Sequence, residues 1–183
     1  MTLRTLWAEI RSDHRANGSD WTKPGFRSLA VYRFGVWRMT VRPLLIRAPL
    51  SILYRACYRH CRNVYGIELP YSAKVGQGVV IEHQGGIVIH GMTVIGDNCT
   101  IRQNCTFGIR TKNGLDDAPV LGRDVDVGAG AVILGKIHVG DGARIGANAV
   151  VLEDIPNFAT AIGVPAIIRH AKRAADETQI VNE

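Results

Sequence analysis

A chain of 183 residues with 46% hydrophobic side chains has the size of one domain and enough apolar material for a packed core, which excludes a disordered or fibrous class. Twenty glycines against four phenylalanines predict many tight corners around a core of small aliphatic side chains. The net charge of +6 is uneven: residues 1–66 hold 12 Lys+Arg against 3 Asp+Glu (+9), while residues 67–183 hold 10 against 13 (−3). Trp7, Trp21 and Trp37 all fall in the first part. This shift predicts a helical region over 1–66, a β domain over 67–168, and a basic segment and tail over 169–183.

In the first region, apolar residues at helical spacing with arginines between them predict helices over Leu3–Ala16, Pro24–Val41 and Leu44–Val64. The opening helix is charged and lacks the apolar run of a secretory signal. The most apolar stretch, Pro43 to Tyr54, is interrupted by Arg47 and is short for a membrane span. A cytoplasmic location is therefore expected, with four free cysteines rather than a disulfide framework. The arginine-rich faces suit solvent or packing against other subunits, with peripheral contact to an anionic membrane as the alternative. No nucleic-acid-binding module accompanies the charge, so no nucleic-acid partner is expected.

Beyond residue 66 the pattern changes. Val75, Ile81 and Ile87 are six apart; so are Ile95, Ile101 and Phe107; and so are Leu121, Val127, Ile133, Val139, Ile145 and Val151. Small residues stand four places after many of them, as at Cys99, Cys105, Ala131, Ala143 and Ala149. A period of six fits neither a helix nor an alternating sheet. It fits a coil with flat sides, each sending one aliphatic side chain inward, whose stacked turns bury a column that no single turn could bury. The predicted fold is mainly β: a parallel β-helix of hexapeptide repeats behind an N-terminal α-helical region. The phase slips by two residues between Ile87 and Ile95, and again between Phe107 and Leu121, where the polar stretch 108–119 predicts a protruding loop.

From Leu29 onward the sequence resembles bacterial serine acetyltransferases and the related acetyltransferases of exopolysaccharide gene clusters. The resemblance rests on LAVYRFGVW, GIELPYSAKVGQGVVIEHQGGIVI, RQNCTFG, DVGAGAVILGKIHVGDGARIGANAVV and GVPAIIRHAK. It implies a left-handed coil, a homotrimer or dimer of trimers, and acetyl-CoA as acyl donor, bound between neighbouring coils.

Acetyl transfer from a thioester to a hydroxyl needs a base that becomes an acid, donors for the oxyanion and a proton for the leaving thiolate. His83, in Ile81-Glu82-His83-Gln84-Gly85, matches the family's catalytic histidine. Glu68 matches the aspartate that orients it, and Glu82 a second acid beside it. His90 is the reserve candidate. On the donor side the resemblance implies Gly108 near the thioester, backbone N–H groups of Ala129 and Ala147 on the pantetheine arm, and Arg169 and Lys172 near the nucleotide phosphates. The cysteines read as small buried residues and not as nucleophiles, and no metal-ligand set accompanies His83 and His90.

The family's Arg-His pair for the amino-acid acceptor is replaced by Asp117 and Ala118, and an acidic position in the other loop is Gly91. On that substitution the expected acceptor is a neutral sugar hydroxyl in surface-polysaccharide assembly, a glycan partner. Serine and a non-catalytic trimeric scaffold are the alternatives.

Overall fold

The structure is a computed structural model and describes residues 2–111 and 117–170. Three helices come first: α1 (Leu3–Ala16), α2 (Pro24–Arg38) and α3 (Leu44–His60). The Thr2 hydroxyl accepts the N–H of Thr5 at 3.1 Å and so caps α1. Pro24 starts α2, where its missing N–H is harmless. Two helices stop short of the sequence expectation. α2 ends at Arg38, ahead of Pro43, which disfavours helical backbone before it. α3 passes into a π-helical turn, Cys61–Tyr65, that closes on Gly66 at φ 66°.

The chain then winds as a parallel β-helix whose short strands stack into three sheets. The first joins β1 (Ile67–Glu68), β4 (Ile87–Ile89), β7 (Thr106–Gly108), β10 (Val132–Leu134) and β13 (Val150–Val151). The second joins β2 (Lys74–Val75), β5 (Val94–Ile95), β8 (Val120–Leu121) and β11 (His138–Val139). The third joins β3 (Val80–Ile81), β6 (Thr100–Ile101), β9 (Asp126–Val127), β12 (Arg144–Ile145) and β14 (Thr160–Ile162), and β15 (Ile167–Arg169) folds back antiparallel on its end.

Pairing puts the aliphatic residues in columns: Val75, Ile95, Leu121 and Val139 on one side, and Ile81, Ile101, Val127 and Ile145 on another. All are buried, as are Cys99, Cys105, Ala131, Ala143 and Ala149 in the small inward position. Each fully buried Ile, Leu or Val contributes about 1.5–3 kcal/mol, so the column dominates the stability of the coil.

One phase assignment is corrected. The residue that stacks on Phe107 is Ile89, while Ile87 stacks on Ile67. Counted from Ile89, the step to Ile95 is a regular six, and the surplus residues lie before it, between Ile81 and Ile89. The slip is therefore a bulged corner at 82–86, with left-handed φ at His83 (65°), Gly85 (101°) and Gly86 (65°). Both Ile87 and Ile89 are buried, which is why the spacing alone could not choose between them. The second slip falls where expected, between β7 and β8; of the stretch 108–119 expected to protrude, residues 112–116 lie outside the described residues.

The helices close the open end of the coil, where strands would otherwise present unpaired backbone. The Tyr32 hydroxyl donates to the Ala73 carbonyl at 2.9 Å and accepts the N–H of Val75 at 3.0 Å. Arg33 donates to the carbonyls of Val75 and Gly76 while its Nε meets Asp13 Oδ2 at 2.8 Å. Asn17 does the work of a strand: its side chain donates to the Val79 carbonyl at 3.1 Å and accepts the Ile81 N–H at 3.2 Å. The Tyr-Arg pair within LAVYRFGVW is thus a backbone cap. Burial pushes the Asp13 carboxyl up, and the bonds from Arg33 oppose it.

Candidate active site

His83 stands at the apex of the bulged corner, exposed, on the rim of a cavity of about 650 Å³ that Asn17, Lys23, Glu82 and Gln84 also line. A left-handed φ is unusual for a residue other than glycine, so the corner holds the imidazole outward at a backbone position that the neighbouring Gly85 and Gly86 make accessible. Glu82, directly before it, is held by Arg102: Oε2 lies 3.0 Å from Nε, and the same guanidinium bonds Asp126. The hydrogen bond it donates to Asp126, ahead of the charges of Asp126 and Glu82, moves the Arg102 guanidinium further up.

Glu68 lies elsewhere. It is half-buried on the first sheet, in register with Val88, and its Oε1 accepts the Tyr58 hydroxyl at 3.2 Å. The two face a cavity of about 470 Å³ that includes His90, Thr106 and Gly108. Burial, and next the charge of Glu68, push the Tyr58 phenol up to about 12, so it stays a proton donor at working pH. His90 Nδ1 accepts the N–H of Met92 at 3.3 Å. Of the sequence-singled residues, the structure thus brings Glu82 to His83 and Gly108 to Glu68. Among the described residues no hydrogen bond or ion pair joins Glu68 to His83.

On the donor side, Ala129 and Ala147 occupy the same corner of successive turns, linked by the Asn148 N–H to the Ala129 carbonyl at 2.8 Å. Among the described residues neither of their own N–H groups has a hydrogen-bond partner, which leaves both as candidate donors to a ligand. Arg169 is exposed on β15, and Lys172 lies outside the described residues. Cys99 and Cys105 are buried, and burial pushes the Cys99 thiol up to about 11. Among the described residues no group of three or more His, Cys, Asp or Glu could hold a metal ion. No described helix is long and apolar enough to cross a membrane.

Sequence reasoning missed Arg102 and Tyr58. Arg102 had a signal: it follows Ile101 as Glu82 follows Ile81, and the repeat stacks these positions. Tyr58 had none, because α3 meets the coil only in the folded molecule.

The bacterial transferase hexapeptide (six repeats) family matches residues 118–153. The serine acetyltransferase of Helicobacter pylori strain J99 is 42% identical over 143 residues, 78% of this chain and 80% of that protein. The chain belongs to the serine acetyltransferase family. The enzyme of Synechococcus elongatus is 37% identical over 142 residues, 78% of this chain but 55% of that protein, so the chain spans little more than half the length of some curated relatives. Soybean serine acetyltransferase in complex with serine superimposes with a TM-score of 0.77 at 32% identity, covering 91% of this chain and 70% of that one. A serine acetyltransferase complex with CoA gives 0.71 at 31%, covering 91% and 68%.

These relatives overturn the sugar acceptor and surface-polysaccharide expectation: they are serine acetyltransferases over most of this chain. The expectation had rested on Asp117 and Ala118 standing in place of the family's Arg-His pair, with the charge reversed at Asp117. The structure buries Ala118 to 3% exposure at the entry to β8, so that side chain is packed against the coil.

Proposed function

We propose that the chain is an acetyl-CoA-dependent serine O-acetyltransferase acting by direct transfer. The observation that carries this reading is the 42% identity to a serine acetyltransferase over 143 of 183 residues, a span that cannot miss Glu68, Glu82 and His83. His83 takes the proton of the serine hydroxyl as that oxygen attacks the thioester carbonyl. The tetrahedral oxyanion collapses, the carbon–sulfur bond breaks, and the imidazolium returns its proton to the CoA thiolate. O-acetylserine and free CoA leave, with no covalent enzyme intermediate, in keeping with buried, raised cysteine thiols.

Glu82 offers its carboxylate to the serine ammonium beside the base, and Glu68 orients the imidazole. The free N–H groups of Ala129 and Ala147 receive the pantetheine arm, Gly108 leaves room for the thioester, and Arg169 with Lys172 meets the nucleotide phosphates. His83 and Glu68 open on separate cavities of one chain. A complete site is therefore expected between neighbouring copies of a trimer with left-handed coils, in the cytoplasm.

The test is serine-dependent release of CoA thiol from acetyl-CoA by the purified chain. Turnover with L-serine, lost in His83→Ala, is expected. Absence of any serine-dependent release would overturn the reading, and a scaffold without catalysis would then stand.

A further inference from the structure

The hydroxyl of Tyr58 is brought to Glu68 from α3, a helix that contributes only one buried residue, Tyr54, to the packing of the chain. Tyr58 is itself held in place. Its ring stacks on Tyr54 with centroids 5.8 Å apart and planes at 25°. Tyr54 in turn is tied to the coil, its hydroxyl accepting the Tyr71 N–H at 3.1 Å. The Arg38 guanidinium lies 4.3 Å from the Tyr54 ring and 4.6 Å from that of Tyr71. An aromatic and cationic stack therefore runs from α2 through α3 to a single carboxylate on β1.

We propose that Tyr58 is a positioning residue of acetyl transfer: it fixes the Glu68 carboxylate, and so makes the N-terminal helical region part of the active centre. The inference rests on the assignment of Glu68 above. A free glutamate has three rotatable bonds and turns among many positions. A phenol at one oxygen restricts that set and leaves the other oxygen, Oε2, to accept an imidazole N–H. A phenol is the right donor for this, because with its proton retained to about 12 it donates at every pH at which the enzyme works. A charged donor would neutralise the carboxylate that must stabilise an imidazolium. The glutamate is one methylene longer than the aspartate of the family pattern, so it has more freedom to lose, and Tyr58 supplies the missing restraint.

The experiment is a double-mutant cycle of Tyr58→Phe and Glu68→Gln, read as kcat, KM and the pH profile of kcat, with His83→Ala as the separate test of the base. Tyr58→Phe is expected to lower kcat about tenfold, the size of one lost charge-assisted hydrogen bond, with KM for acetyl-CoA unchanged. The pH profile of kcat should fall over its whole width while KM stays put, a split that a general loss of structure would not give. In the Glu68→Gln background the Tyr58 substitution should have almost no further effect. Unchanged kcat and profile in Tyr58→Phe, or equal effects of that substitution in both backgrounds, would overturn the proposal. If Glu68→Gln is fully active while His83→Ala is dead, the positioning role falls and the base assignment survives.

Discussion

Ile89 stacks on Phe107, and this one pairing decides where His83, the proposed base, sits. Because Ile89 holds the regular inward position, the two surplus residues between β3 and β4 are driven into the corner at 82–86, and His83 rides outward on them. Restoring a tight corner should then silence the enzyme while sparing the fold. A deletion of Gln84 and Gly85 is expected to keep the circular dichroism of the wild type and lose serine-dependent turnover. His83→Ala, with the corner intact, is expected to lower kcat by about 10²–10⁴-fold.

Glu82 is predicted to act on the acceptor and not on the donor. In Glu82→Gln, KM for L-serine should rise about tenfold, the scale of one lost charge-assisted contact, while KM for acetyl-CoA stays put. Steady-state kinetics with each substrate varied in turn separates the two. Its ion pair with Arg102 is partly exposed, and removing it should change stability by at most about 1 kcal/mol.

Arg33→Met tests the cap on the open end of the coil. It leaves Asp13 buried without its cation and removes the donors to Val75 and Gly76. The expected loss is about 3–5 kcal/mol, measured by urea unfolding. The folded state already holds the Asp13 proton more tightly than an unfolded chain does, because its carboxyl is raised. Without Arg33 that carboxyl rises further, so stability lost at neutral pH should be partly regained as pH falls through its range.

Thiol reactivity checks the absence of a cysteine nucleophile. Burial raises Cys61, Cys99 and Cys105, with Cys99 at about 11, while Cys57 is only half-buried. At pH 8 the native protein should show one readily titrated thiol with a disulfide reagent, and four after denaturation. Full modification of native Cys57 should leave acetyl transfer intact.

The sequence by itself determined the architecture. A six-residue period leaves one inward aliphatic per side, and burying them requires stacked turns, so Leu121 to Val151 could be placed in columns before any coordinates. Helices at Leu3–Ala16 and from Pro24 and Leu44 were legible for the same reason, since their apolar spacing is local. His83, Glu82 and Glu68 were singled out through the family motifs they stand in. Only the tertiary structure decided that Ile89 and not Ile87 keeps the phase, since both are buried and pairing between turns is what discriminates them. It alone showed that Ala118 is packed against the coil, that Tyr32, Arg33 and Asn17 satisfy the coil's open edge, and that Tyr58 reaches Glu68. Those contacts join residues far apart in the chain, and periodicity carries no information about which distant side chain will meet a given backbone group.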